Sequence, residues 1–130
     1  MKLWLVVGWG IVIVLALGNI QSFVRAKQKE QQRQASYRTK VDVYRSILKL
    51  GITRQQVEAY LRQTGAPYQR NCCEAGVFSD RTPVGHEAPG WVCRSWDVFV
   101  EFKFAGKYQS AAAPEDMLQK VDLFQNGSCL

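Results

Sequence analysis

The stretch "GITRQQVEAYLRQTGAP", Gly51 to Pro67, carries its own start and stop signals. Thr53 suits a helix N-cap because its hydroxyl can accept a hydrogen bond from a first-turn amide. Gln56, three residues on, can answer with its side chain to the Thr53 backbone, the reciprocal arrangement of a capping box. Ile52, just before the cap, is placed to staple onto Val57. Val57, Tyr60 and Leu61 share one side at helical spacing. Gly65 tolerates the left-handed backbone of a helix exit, and Pro67 prevents resumption. The stretch predicts a short amphipathic helix, which needs an apolar surface to cover.

That surface is sought on both sides. Upstream, Tyr37, Val41, Tyr44 and Leu48 recur at steps of four, three and four, predicting a preceding helix with one buried face that stops at Gly51. Downstream, "YQRNCCE" (68–74) reads as a short strand. Residues 75–90, "AGVFSDRTPVGHEAPG", are rich in Gly, Pro and polar groups and read as a loop. "WVCRSWDVFVEFKF" (91–104) is the clearest strand: Trp96, Val98, Val100, Phe102 and Phe104 take one side, and Asp97, Glu101 and Lys103 the other. Phe99 breaks the alternation. After a long loop at 105–116, residues 117–125 form a third strand with Met117, Val121 and Leu123 inward. The expectation is an α+β domain over 37–130, with two helices packed on a three-stranded antiparallel sheet.

The amino-terminal segment is of another kind. Leu3 to Ile20 is eighteen residues without a charge, the lower length for a membrane-spanning helix of roughly 17 to 25 residues. Residues 1–24 read as an uncleaved transmembrane signal anchor. A cleaved signal peptide, with its site at Ala16-Leu17-Gly18, is disfavoured because the run exceeds the usual ~7 to 15 residues of a signal core. Residues 25–36 then form a polar helical stalk. The net charge of +6 is uneven: residues 25–70 hold eleven Lys/Arg against three Asp/Glu, whereas 71–130 hold five against eight. Cations just past an apolar run fit a membrane-proximal stalk. They lack the interleaved aromatics or motif of a nucleic-acid binder, so no nucleic acid is expected.

The motif Gly51, Thr53, Gln56, Val57, Leu61, Gly65 and Pro67, placed before a sheet, resembles the small outer-membrane assembly lipoproteins of the SmpA/OmlA (BamE) type, which are related to beta-lactamase-inhibitor-like domains. The resemblance covers residues 40–125. It implies a non-enzymatic envelope module that binds other proteins. Two departures stand beside it. The family's lipobox cysteine has no counterpart here, since the first cysteine is residue 72, and the four cysteines are outside the family's pattern.

Those cysteines bear on the compartment. Adjacent strand residues point to opposite faces, so Cys72 and Cys73 make poor partners for each other. Two pairings remain, both using Cys93 and Cys129, and either is open. Each bridge is worth about 3 to 4 kcal/mol in the chain-entropy account. The alternatives are reduced thiols, a zinc site of Cys72, Cys73, His86 and Cys93, or a Cys/His nucleophile. Zinc prefers cysteines two to four residues apart, and His86 lies in the expected loop. No metal or cofactor is therefore expected. Disulfides require an oxidising compartment, which puts the domain in the periplasm or outside the cell. Arg25, Lys27, Lys29 and Arg33 after the span argue the reverse. The reading sides with the cysteines and the short tail before the span.

The expected function is a membrane-anchored, extracytoplasmic, non-enzymatic interaction or structural module. It would be held in the membrane through residues 3–20 and would contact another envelope protein, with no small-molecule substrate. The candidate contact residues are Arg94 and Phe99 on the wet face of the sheet and Phe78, His86 and Trp91 in and beside the 75–90 loop. Phe99 would meet a partner or lie under the 105–116 loop. The alternatives are a thiol-based redox protein and a membrane-tethered domain facing the cytoplasm.

Overall fold

A computed structural model describes residues 2–74, 77–87, 93–106 and 111–129; within these, side chains are described at 18–71, 77–87, 96–106 and 111–127. The elements are α1 (Lys2–Ile47), α2 (Arg54–Gln63), β1 (Gln69–Glu74), β2 (Val77–Glu87), β3 (Cys93–Ala105) and β4 (Met117–Cys129). The strands form one antiparallel sheet in the order β1-β2-β3-β4. The chain divides into two compact units, Met1–Ser36 and Tyr37–Leu130, and α1 runs through the division.

The first unit is helical. Its exposed apolar side chains include Ile20, Phe23 and Val24. Among the described residues no helix is long and apolar enough to cross a membrane. This overturns the transmembrane signal anchor expected over 1–24. The physical reason is twofold. The apolar run stood at the lower limit for a span, and the helix does not end with it. It continues without a break through Arg25, Lys27, Lys29, Glu30 and Arg33, so the apolar run is one part of a longer, mostly polar helix.

In the second unit, the predicted stripe of α1 packs as its spacing requires. Tyr37, Val41 and Leu48 are buried, and Tyr44 joins the cluster from its edge. Gly51 takes a positive φ of 86° and turns the chain into α2. Thr53 caps α2 with both halves of the capping box formed: its Oγ1 accepts from the Gln56 amide, and its own amide donates to Gln56 Oε1. Val57 and Leu61 are fully buried against Val100, Phe102, Phe104, Leu118 and Val121 of the sheet. Burying each such side chain is worth about 1.5 to 3 kcal/mol, so this one layer carries most of the domain's hydrophobic stabilisation.

The connection between the helices is also stitched to the sheet. The Gly51 amide donates to the Leu118 carbonyl, and the Leu118 amide donates to the Ile52 carbonyl, each at 2.8 Å. Thr53 and Met117 complete an isolated bridge. Three residues farther along β4, Arg45 Nε donates to the Val121 carbonyl at 2.9 Å.

The sheet has four strands, not the expected three. Most of the expected loop at 75–90 is β2. It was hidden because its helix-facing positions are Phe78, Asp80 and Thr82, two of them polar yet buried. A hydrophobic alternation therefore does not show in the sequence. Pro83 and Gly85 add loop-like composition, but they sit at a register shift against β3, where such residues are tolerated. Gly85 is required there: a Cβ would collide with the ring of Tyr37.

A second shift, between Lys103 and Phe104, changes the inward set of β4. Leu118, opposite Phe104, is fully buried, and Met117 is exposed; Val121 and Leu123 keep their inward places.

The disulfides are also corrected. None is present among the described residues, and the four cysteine side chains lie outside them. Cys93 stands opposite Cys129 across the β3–β4 ladder. Cys72 and Cys73 lie on edge strand β1, separated from β3 by β2. The adjacent pair is thus a ladder neighbour of neither distant cysteine.

Candidate functional site: the open face of the sheet

The helices of the second unit cover one face of the sheet. Side-chain alternation sends the other residues of β2, β3 and β4 to the opposite face. Strand pairing sets three rows there. Pro83, Phe99 and Phe124 form one, Arg81, Glu101 and Asp122 the next, and Ser79, Lys103 and Lys120 the third.

The centre of this face is an arginine laid on an aromatic ring. The Arg81 guanidinium lies 3.5 Å from the centroid of Phe124, and Phe99 stands beside that ring at a centroid distance of 6.5 Å and a tilt of 47°. A planar cation on a ring face is attracted by the ring quadrupole. The same guanidinium binds Glu101, with Nε and Nη2 at 2.8 and 2.7 Å from Oε1. Lys103 reaches the other oxygen of Glu101 at 3.4 Å. Glu101 is consequently only 5% exposed, although the helices of the second unit lie on the other face. Its desolvation comes from neighbouring side chains, and its charge is compensated on the spot. At the β4 margin, Asp122 receives Lys120 at 2.5 Å and Arg45 at 3.2 Å.

The covered face carries a matching but deeper network. Arg54, at the start of α2, binds Asp80 of β2 through two nitrogens, Nε at 3.1 Å and Nη2 closer still. Glu58, one turn on, lies 3.3 Å from Arg54 Nε and takes both Nε and Nη2 of Arg70 at 2.9 and 2.8 Å. Burial pushes the Glu58 carboxyl up, but the hydrogen bonds and charge of Arg70, with Arg54, outweigh it and leave it below its ordinary value. Glu58 in turn holds Arg70 more firmly charged. Asp80 differs: burial is its largest influence and raises its pKa against the pull of Arg54. This network joins α2 to β1 and β2 and fixes the helix layer on the sheet.

The residues singled out in the sequence are dispersed. Phe99 belongs to the open-face cluster, half-buried by Phe124 across the ladder. His86 is exposed on the same strand pair, with Nδ1 at 2.7 Å from Asp97 Oδ1. Phe78 is 2% exposed on the helix side, opposite Phe104, so it is core and not contact surface. Trp91 and the side chains of Arg94, Cys72, Cys73, Cys93 and Cys129 lie outside the described residues. Among the described residues no group of three or more His, Cys, Asp or Glu is placed to hold a metal.

Arg81, Glu101 and Phe124 were not foreseen as a site. One signal was present. Phe124 is out of phase with Val121 and Leu123 just as Phe99 is out of phase with its own strand, and two such misfits on pairing strands point to a shared aromatic patch. Compared with known proteins, the chain matches no protein family, no curated protein and no solved structure.

Proposed function

We propose that this chain is a non-enzymatic interaction module that binds another protein through the open face of its sheet. The observation that carries the reading is the Arg81–Phe124–Phe99 cluster on the face that the helices of the second unit leave uncovered. Arginine and aromatic residues dominate the energetic centres of protein interfaces. Here the arginine is already aligned by Glu101, so little ordering entropy is lost when a partner lands on it. Lys103, Lys120 and Asp122 around the cluster supply the polar rim that such centres have. The resemblance to the envelope family points to a protein of the cell envelope as the partner.

Site-specific photo-crosslinking in producing cells tests this. A crosslinker replacing Phe99 should give a discrete adduct that Arg81→Ala abolishes, while one replacing Gln63 on α2 gives none. Absence of an adduct at position 99, or equal labelling at both positions, would sink the reading.

A further inference from the structure

On the opposite side of the second unit, the last turns of α1, the end of α2 and β2 line an open groove of about 450 Å³. Val43, Tyr44, Tyr60, Pro67 and Val84 give it apolar walls, and Lys40 stands at its rim. Its volume falls within the roughly 300 to 1,000 Å³ of small-molecule sites. Its walls are preformed by core packing. Tyr44 sits edge-on to Tyr60 at 6.4 Å and edge-on to Phe102 of the core at 5.3 Å. Burial, then the neighbouring Tyr60, raises the pKa of Tyr44, so its phenol stays a proton donor.

The charge pattern selects the occupant. Lys40 is the one cation among the described lining residues, and no acidic residue is among them. Its ammonium is anchored at the rim by a 2.7 Å hydrogen bond to the Val84 carbonyl, which uses one of its three protons. Two of its donors are left over at the rim, and no carboxylate is among those lining residues. We infer that this groove binds a small monocarboxylate with an apolar body, the body between Tyr44, Tyr60 and Val84 and the carboxylate at Lys40. The site is separate from the open face of the sheet and does not depend on that face having a partner.

The test uses three probes of one shape on the isotope-labelled full chain: 3-phenylpropionate, 3-phenylpropan-1-ol and 3-phenylpropylamine. The expected result is saturable amide shifts confined to residues 39–44, 60–67 and 82–84, with the acid binding most tightly and the amine least. Lys40→Gln should weaken the acid roughly threefold, the size of an exposed ion pair, and leave the alcohol unchanged. Val43→Trp, at an exposed wall position, should block all three while the remaining spectrum stays native. The inference is overturned if no probe saturates at millimolar concentration, if the shifts fall outside the groove, or if acid, alcohol and amine bind alike.

Discussion

Asp80 and Arg81 are consecutive in β2 and face opposite ways, and each belongs to an arginine–carboxylate pair. Asp80 points to the helices and meets Arg54, with both side chains at most 3% exposed. Arg81 points to the open face and meets Glu101, with the arginine 23% exposed. The first pair is sealed by backbone elements that cannot leave without unfolding the domain. The second is covered only by neighbouring side chains, which can rearrange. A buried ion pair under a helix stabilises little against a well-packed apolar alternative, yet losing one partner strands a charge. A pair under side chains keeps water within reach, so its loss is mild, and its arginine stays available to another molecule.

The comparison fails first if Arg54 proves dispensable. Arg54→Met should lower unfolding free energy by about 3 to 5 kcal/mol, because it leaves Asp80 buried without a partner. Adding Asp80→Leu should recover most of that loss, as chemical denaturation of both variants would reveal. The aromatics give the next contrast. Phe102→Ala, at a fully buried position, should cost about 3 to 5 kcal/mol. Phe99→Ala on the open face should cost about 1 kcal/mol, within the common range for partly buried positions. Similar losses at the two sites would mean that the open face is core.

Of the same order, Arg81→Ala should cost about 1 kcal/mol through the lost ring stacking and hydrogen bonds. Thermal melts should record it as a modest shift, since Glu101 keeps Lys103. The finest distinction is in acid. Glu58 is folded below its ordinary value, so its contribution is present above about 4.3, the unperturbed glutamate pKa, and is lost as pH falls through the folded value. Asp80 is raised, so its contribution has the opposite sign: full below about 3.9 and lost as pH rises through the folded value. The stability advantage of the wild type over Glu58→Gln should therefore shrink on acidification. An advantage independent of pH would remove Glu58 from the network's charge balance.

What could be foreseen divides along the same lines. The capping box at Thr53 and the glycine exits at Gly51 and Gly65 were legible because their partners lie within a few residues. The stripes of α1, α2 and β3 were legible because apolar residues recur along them at the period of the element. β2 was not, because Asp80 and Thr82 occupy its core-facing positions, and Asp80 is tolerated there only through Arg54, 26 residues away. The open-face cluster was half legible. Phe99 announced itself by breaking alternation, whereas Arg81 and Phe124 acquire their meaning only from strand register. The apolar run at Leu3–Ile20 was legible as composition, but its length alone did not decide what the helix containing it would do.

The stitching of the helix connection to β4 has a bearing on crowding. An edge strand normally offers a bare row of amides and carbonyls to any passing chain. Along the first half of β4 that row is spoken for by Gly51, Ile52 and the Arg45 guanidinium. At this edge, sheet growth between molecules would have to nucleate beyond Asp122, on the second half of the strand. The same few bonds that seat the helices thus act as a guard against fibril-like stacking along this half of the edge once the domain has folded.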